Sequence, residues 1–148
     1  MTETRAFGRR IGALEEVFQF LGAFGDREGF DERLQFAIQF VAEELFTNMV
    51  KYNTGQGREI EIRIARADGE VRLELVDFDV DPWDPTTAPE VDIRRPAEDR
   101  RPGGLGMHLV KSMVDRVTYE YRDRAMCVTV AKRLPSDGSS AGPQQDRA

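Results

Sequence analysis

Two stretches of this 148-residue sequence decide its fold, and the first is Glu43-Glu44-Leu45-Phe46-Thr47-Asn48-Met49-Val50-Lys51-Tyr52. The second follows some fifty positions later and reads Pro102-Gly103-Gly104-Leu105-Gly106-Met107-His108-Leu109-Val110. A carboxylate and a carboxamide four residues apart on one helix, together with glycines that open another, suit the binding of a magnesium nucleotide. The two stretches therefore indicate phosphoryl-transfer chemistry.

Residues 31–52 are predicted to form one long helix, and its polar flank is the first half of the candidate site. At about 100° per residue, the apolar positions share one broad stripe, made of Leu34, Ile38, Val41, Leu45 and Met49. Glu44, Asn48 and Lys51 cluster in an arc of roughly 60° beside that stripe. Asn48 can give an amide oxygen to Mg²⁺, and Glu44 can accept a proton from an attacking hydroxyl or water. For this triad taken alone, a solvated helix flank is the alternative.

Residues 103–115 are predicted to form a shorter helix of about three turns. Its apolar positions are Leu105, Leu109, Val110 and Met113. Gly103, Gly104 and Gly106 let the backbone approach a phosphate, and the free N–H groups and the helix dipole favour an anion there. Because glycines also make ordinary loop-to-helix joints, this cluster supports a site only in combination with the longer helix.

The two segments together resemble the N box and the second glycine box of the GHKL, or Bergerat-fold, ATPases, which include gyrase and the sensor histidine kinases. The single-domain length, the Glu-x-x-x-Asn helix, the Pro-Trp-Asp-Pro at residues 82–85 and the glycine cluster are most similar to the anti-sigma-factor serine kinases. The resemblance covers about residues 10–134. It implies ATP or ADP with Mg²⁺, which Asn48 would hold, and Glu44 as the catalytic base. The other implied nucleotide contacts here are Lys51, Tyr52, Gly103, Gly104, Leu105, Gly106 and Met107.

The first glycine box departs from the family's pattern, in which an Asp-x-Gly motif ends a strand and the Asp binds the adenine amino group. This chain has Asp77-Phe78-Asp79-Val80-Asp81-Pro82-Trp83-Asp84-Pro85, without a glycine. Counting back from the Trp-Asp-Pro places Phe78 at the Asp position. Strand alternation instead puts Asp77, and then Asp79, on the inward face defined by Val71, Leu73 and Leu75. We expect Asp77 to read the adenine, with Asp79 as the alternate.

The remaining pattern predicts an α/β (α+β) two-layer sandwich, in which three helices cover one face of a mixed, mostly antiparallel sheet of four or five strands. A first helix is expected over residues 9–24, ending near Gly25. Two antiparallel hairpins are expected, one turning at Asp68-Gly69 and one near Asp123. The Bergerat topology itself is implied by the resemblance.

Residues 1–134 are predicted to form a single domain, and the Ser/Gly/Pro/Gln-rich tail at 135–148 is predicted to be disordered. The connection at 84–101 is longer than an ordinary loop in a compact domain. The resembled family has an ATP lid at this position, whereas a solvated loop whose acids and arginines pair with one another is the alternative.

Composition narrows the classes of protein that this chain can belong to. With 40% hydrophobic and 32% charged residues, it reads as neither a membrane protein nor a wholly disordered one. The apolar runs are too short to span a bilayer and the first residues lack a signal-peptide core, so we expect a cytoplasmic location. The net charge of −6, without a basic patch, argues against direct nucleic-acid binding. The single cysteine, Cys127, is expected to be a buried small residue rather than a nucleophile.

The resemblance implies a serine/threonine protein kinase that uses ATP and Mg²⁺. It would phosphorylate a small antagonist protein of the anti-anti-sigma type and sequester a sigma factor or another regulator, and the family also contains homodimers. A non-catalytic binding module, in which nucleotide sets the partner that is held, is one alternative. The stand-alone catalytic domain of a histidine kinase is another. The only histidine, His108, falls inside the glycine-box helix and is expected to be a surface or packing residue.

Overall fold

A computed structural model describes residues 1–52, 59–81 and 104–135. In chain order its elements are β1 (Thr2–Phe7), a 3₁₀ helix (Ile11–Ala13), α1 (Leu14–Glu28), α2 (Glu32–Tyr52), β2 (Ile60–Ala67), β3 (Glu70–Phe78), α3 (Gly104–Met113), β4 (Arg116–Arg122) and β5 (Ala125–Arg133). The predicted lid at 84–101, Gly103 and residues 136–148 of the predicted tail lie outside the described residues.

The five strands form one open sheet in the order β1-β2-β3-β5-β4. Each neighbouring pair is antiparallel, so the sheet expected to be mixed is antiparallel throughout the described part of the chain. Both predicted hairpins are confirmed. Asp68 and Gly69 turn the first with φ of 56° and 75°, and Asp123 and Arg124 turn the second with φ of 54° and 63°. Two successive positive φ values give the tight turn that matches the twist of antiparallel strands.

The edge strand β1 has no counterpart among the sequence predictions. It pairs along β2 from Thr2 opposite Ala65 to Phe7 opposite Ile60, and within it Phe7 alone is fully buried. A strand that buries so little shows no alternation of apolar and polar residues, which is the pattern that would have indicated it.

The helices begin and end close to the predicted positions, with one clear exception. Helix α2 begins at Glu32 because Asp31 caps it, with the Leu34 N–H donating to Asp31 Oδ1 at 2.8 Å. The first helix was predicted over 9–24 and instead spans Leu14–Glu28. It continues through Gly25 and ends at Gly29, whose φ of 74° is the left-handed conformation that terminates helices.

The helices and the inward face of the sheet share a single hydrophobic core. Its central members include Ile60, Ile62 and Ile64 of β2, Leu73 and Leu75 of β3, Met126 and Val128 of β5, and Val41, Leu45 and Met49 of α2. Helix α3 joins this core through Met107 and Val110. Within the described ranges, no helix has the length and apolarity that crossing a membrane requires.

Candidate functional site

Asn48 is the polar residue that α2 buries. The residue is 6% exposed, and it stands beside core residues such as Leu45 and Met49. Among residues 1–52, 59–81 and 104–135, no hydrogen bond satisfies its carboxamide. Because a buried polar group without a partner costs about 1–3 kcal/mol, native proteins retain such a group where a ligand or ordered water completes it. The carboxamide oxygen is the kind of ligand that a hard cation such as Mg²⁺ takes, so the residue fits its predicted role.

Glu44 lies one helical turn before Asn48, and its carboxylate packs against the start of α3. A Cβ atom added at Gly106 would lie 2.5 Å from Glu44 Cδ and closer still to Oε1. Gly106 is therefore required by the close approach of the two helices. Within the glycine cluster, this one makes room for the candidate base.

The environment of Glu44 alters its basicity. Burial is the main reason that the pKa of Glu44 is raised above its ordinary value; the neighbouring Glu43 raises it further, whereas Lys51 opposes the change. A carboxylate with a raised pKa holds a proton more tightly and is a stronger general base once it is ionised.

Asp77 lies near the C-terminal end of β3. It is on the same face of the sheet as Leu75 and lies between Ile60 of β2 and Met126 of β5. Its side chain has no exposed surface. Arg9 clasps this carboxylate with both terminal nitrogens: Nη2 pairs with Oδ1, and Nη1 donates to Oδ2 at 3.4 Å. The same Nη1 donates to the Met49 carbonyl at 3.1 Å, so Arg9 links the C-terminal end of β3 to α2 beside Asn48.

The backbone of the first glycine box favours the prediction that Asp77, rather than Phe78, is the Asp of the Asp-x-Gly motif. Asp77 faces inward and is buried, whereas Phe78 is half-buried. If Asp77 is the Asp of Asp-x-Gly, Asp79 stands at the glycine position, and it has the left-handed φ of 58° that glycine commonly supplies. Asp is one of the few other residues that adopt this conformation at modest cost. In that alignment, a left-handed aspartate takes the place of the missing glycine.

The expectation that Asp79 continues the inward alternation is wrong. Strand β3 ends at Phe78, and the positive φ of Asp79 turns the chain so that this residue is exposed. The next residue, Val80, is anchored to the β4–β5 hairpin, because its N–H donates to the Arg124 carbonyl at 2.9 Å and its carbonyl accepts from the Tyr121 hydroxyl at 2.7 Å.

The other predicted site residues are distributed around these groups. Lys51 is exposed in the last turn of α2, and Gly104 begins α3. Met107 is buried in the core, so only its backbone can face a nucleotide in this arrangement. The side chains of Tyr52 and Leu105 fall outside the described structure.

Of two residues that the sequence analysis set aside, His108 lies as expected and Cys127 is less buried than expected. His108 is exposed on α3, as expected of a surface residue. Cys127 is half-buried on the outer face of the sheet, where its thiol donates to Glu74 Oε2 at 2.9 Å. Burial, with Glu74 beside it, raises the pKa of Cys127 to about 12, so near neutral pH it is a protonated thiol and a poor nucleophile.

Sequence reasoning missed Arg9, which is the cation nearest to the predicted adenine reader. A buried carboxylate needs a charged partner, but the chain has 21 lysines and arginines, and no motif singles out the one that lies 68 residues away.

Helix α2, the end of β3 and the start of α3 thus bring Glu44, Asn48, Asp77 and Gly106 to one region. The chain belongs to the histidine kinase-like ATPase domain family, whose sequence profile matches residues 8–132. It is also similar to the serine/threonine-protein kinase BtrW of Bordetella bronchiseptica, with 28% identity over 99 residues that cover 66% of this chain and 69% of BtrW. The family agrees with the resemblance to GHKL ATPases, and an ATPase domain implies a nucleotide site.

Proposed function

We propose that this chain is an ATP- and Mg²⁺-dependent serine/threonine protein kinase of the anti-sigma-factor type. It phosphorylates a small antagonist protein and sequesters a sigma factor or another regulator. The observation that carries the proposal is the buried carboxamide of Asn48, which has no hydrogen-bond partner in the part of the chain that the structure describes and lies one helical turn from the partly buried carboxylate of Glu44. The similarity to a serine/threonine-protein kinase supports this activity over that of a histidine kinase.

Each element contributes one task to this site. The Asn48 side-chain oxygen holds Mg²⁺, and the N–H groups at the start of α3 bind the phosphates, because the first turn of a helix leaves its N–H groups without partners. Asp77 accepts a hydrogen bond from the adenine amino group. When bound, Mg²⁺–ATP supplies the phosphoryl group that is transferred.

Glu44 acts on the protein substrate. Its carboxylate oxygen accepts the proton of the serine or threonine hydroxyl and orients that hydroxyl for attack. The raised pKa of Glu44 suits this role, because a weakly solvated carboxylate takes a proton more readily than an exposed one. Phosphoryl transfer depends mainly on positioning and charge stabilisation, so we expect this proton transfer to be one contribution among several.

A non-catalytic binding module is the second candidate, and one observation favours it. The carboxylate that would read the base is held by Arg9, and the glycine of the first box is absent. Weak nucleotide binding would leave the sequestration of a regulator as the main activity. The cytoplasmic location, a homodimer and the absence of direct nucleic-acid contact remain predictions from the sequence.

Labelled-phosphate transfer from ATP to a small antagonist protein, once one is identified as a partner, tests the proposal. Glu44→Gln keeps the shape and removes the basicity, so it should slow transfer by about 10²–10⁴-fold. Glu43→Gln is the matched control, since Glu43 is exposed and adjacent in sequence; it removes only the secondary cause of the raised pKa of Glu44 and should slow transfer far less than Glu44→Gln does. Transfer at the wild-type rate in Glu44→Gln would reject Glu44 as the base. Wild-type protein that holds an antagonist without any transfer would establish the binding module instead.

A further inference from the structure

The ion pair between Arg9 and Asp77 obstructs the access of a nucleotide base to the Asp77 carboxylate. The Asp77 side chain has no exposed surface, and Arg9, which covers it, is itself only 10% exposed. Both carboxylate oxygens contact the guanidinium. An adenine amino group must reach one of these oxygens to donate its hydrogen bond, and in this arrangement it meets Arg9 first.

We infer that Arg9 is a specificity-determining gate at the base end of the nucleotide site, and that ATP binds to the conformers in which Arg9 has released Asp77. This inference rests on the proposed nucleotide site and deepens it. Arg9 has the opposite hydrogen-bonding character to Asp77, because a guanidinium only donates and a carboxylate only accepts. With Arg9 in place, the pocket has both Asp77 oxygens occupied, so neither is open to the adenine amino group. With Arg9 withdrawn, it presents the acceptor that suits adenine.

The surrounding backbone indicates that the gate moves by side-chain rotation. Arg9 follows β1, which is paired with β2 as far as Phe7 opposite Ile60. Just after it, the Arg10 N–H donates to the Gly8 carbonyl at 2.9 Å and the Ala13 N–H donates to the Arg10 carbonyl at 3.0 Å. The backbone on both sides is thus held, so release of Asp77 requires the arginine side chain to rotate and to give up its hydrogen bond to the Met49 carbonyl as well.

The gate has a measurable consequence for affinity. When only a fraction of the protein is competent to bind, the apparent dissociation constant equals the intrinsic constant divided by that fraction. Weakening the ion pair between Arg9 and Asp77 raises the fraction of protein that is competent to bind and therefore tightens ATP binding. This sign is opposite to the ordinary electrostatic expectation, because removing a positive charge near an anionic triphosphate should weaken its binding.

The test measures dissociation constants for Mg²⁺–ATP and Mg²⁺–ITP with the wild type, Arg9→Met and Arg10→Met. ITP carries a carbonyl where ATP carries the amino group. We expect Arg9→Met to bind ATP about tenfold more tightly and to gain nothing for ITP. Arg10→Met is the matched control, since it removes the same charge from the adjacent exposed residue and should not tighten either ligand.

The outcomes separate this inference from the proposed function. If the wild type binds ATP and Arg9→Met binds it equally or more weakly, the gate is overturned while the nucleotide site stands. Equal tightening for ATP and ITP also overturns it, because the effect is then not at the base. If none of the three proteins binds either nucleotide, both the site and the gate are rejected.

A second variant covers the case in which Arg9→Met does not fold, since it leaves Asp77 buried without its cation. Arg9→Lys keeps the charge but loses the bidentate hydrogen bonding of the guanidinium. This variant should bind ATP about threefold more tightly, with no gain in affinity for ITP, because its ion pair with Asp77 is weaker but not absent. Unchanged ATP affinity in folded Arg9→Lys would overturn the gate.

Discussion

Asp79 has the backbone conformation of a glycine without being one. Its φ of 58° costs an ordinary L-residue roughly 1–2 kcal/mol. Because glycine adopts this conformation without a steric penalty, Asp79→Gly recovers that cost and should be less destabilising than the same change at a residue with a negative φ. Asp81→Gly is the control, since Asp81 is an exposed aspartate with a negative φ, where glycine adds freedom to the unfolded chain and also removes an exposed ion pair with Arg124. Urea unfolding that shows Asp79→Gly to be the less stable of the two variants would contradict this account.

The buried position of Glu44 makes its effect on stability depend on pH. Because the folded state raises its pKa, Glu44 favours folding while it is protonated, and this contribution is lost as the pH rises through the folded-state pKa. Glu44→Gln is neutral at every pH. Its stability relative to the wild type should therefore increase from about pH 4 to about pH 7.

Urea unfolding of Glu44→Gln and Glu43→Gln at both pH values measures this difference. The exposed Glu43 side chain should give a smaller change, although its removal also relieves part of the repulsion that acts on Glu44. A stability difference between Glu44→Gln and the wild type that falls as the pH rises would show that the folded state does not penalise this charge.

At the scale of elements, the approach of α3 to α2 depends on Gly106. Gly106→Ala places a methyl group against the Glu44 carboxylate. We expect a loss of about 1–3 kcal/mol of stability, as is typical of overpacking. Adding Glu44→Ala should restore much of it, because that change removes the group with which the methyl collides.

Gly22→Ala is the control for this pair. Gly22 lies within α1, and a Cβ there would meet Gln39 Nε2 at 3.6 Å, an ordinary contact. It should stabilise the protein by roughly 0.5–1 kcal/mol, since alanine favours helix more than glycine does. Equal losses in Gly106→Ala with and without Glu44→Ala would show that the two helices do not meet at this carboxylate.

Elements were predictable where local chemistry and periodicity agreed. Helix α2 has an apolar stripe over about four turns and an aspartate cap at Asp31, and the Asp68-Gly69 pair specifies its own turn. The first helix was misplaced because Gly25 resembles a stop signal. In the structure Gly25 stays helical, and a Cβ there would lie 2.8 Å from Gln35 Cδ, so this glycine permits the close packing of α1 on α2.

At the scale of the whole molecule, the missed features are those that depend on pairing across the chain. Strand β1 exists because β2 offers it an edge, and Arg9 matters because Asp77 needs a cation. Neither leaves a local pattern in the sequence. The sequence did identify two motifs, Glu44 with Asn48 and the glycines at the start of α3. Both motifs lie on helices that pack into the same core. Their positions could therefore be predicted from the helical period.

The architecture also explains why the candidate site is concentrated at one end of the domain. The C-terminal half of α2, the end of β3 and the first turn of α3 converge there, and Arg9 ties two of them together through the Met49 carbonyl and Asp77. A ligand in this region would contact three elements at once. Nucleotide binding should therefore stabilise the whole domain, because a ligand that binds only the folded state shifts the unfolding equilibrium.

Calorimetric titration with millimolar ATP, with and without Mg²⁺, tests the central claim most directly. The account predicts Mg²⁺-dependent binding that Asn48→Ala weakens by about 10–100-fold, because the change removes an oxygen that holds the metal. Gln39→Ala, which removes another carboxamide from the same helix, should bind as the wild type does. The absence of any heat with the wild type, or binding that requires neither Mg²⁺ nor Asn48, would contradict the claim that this domain is a magnesium-nucleotide site.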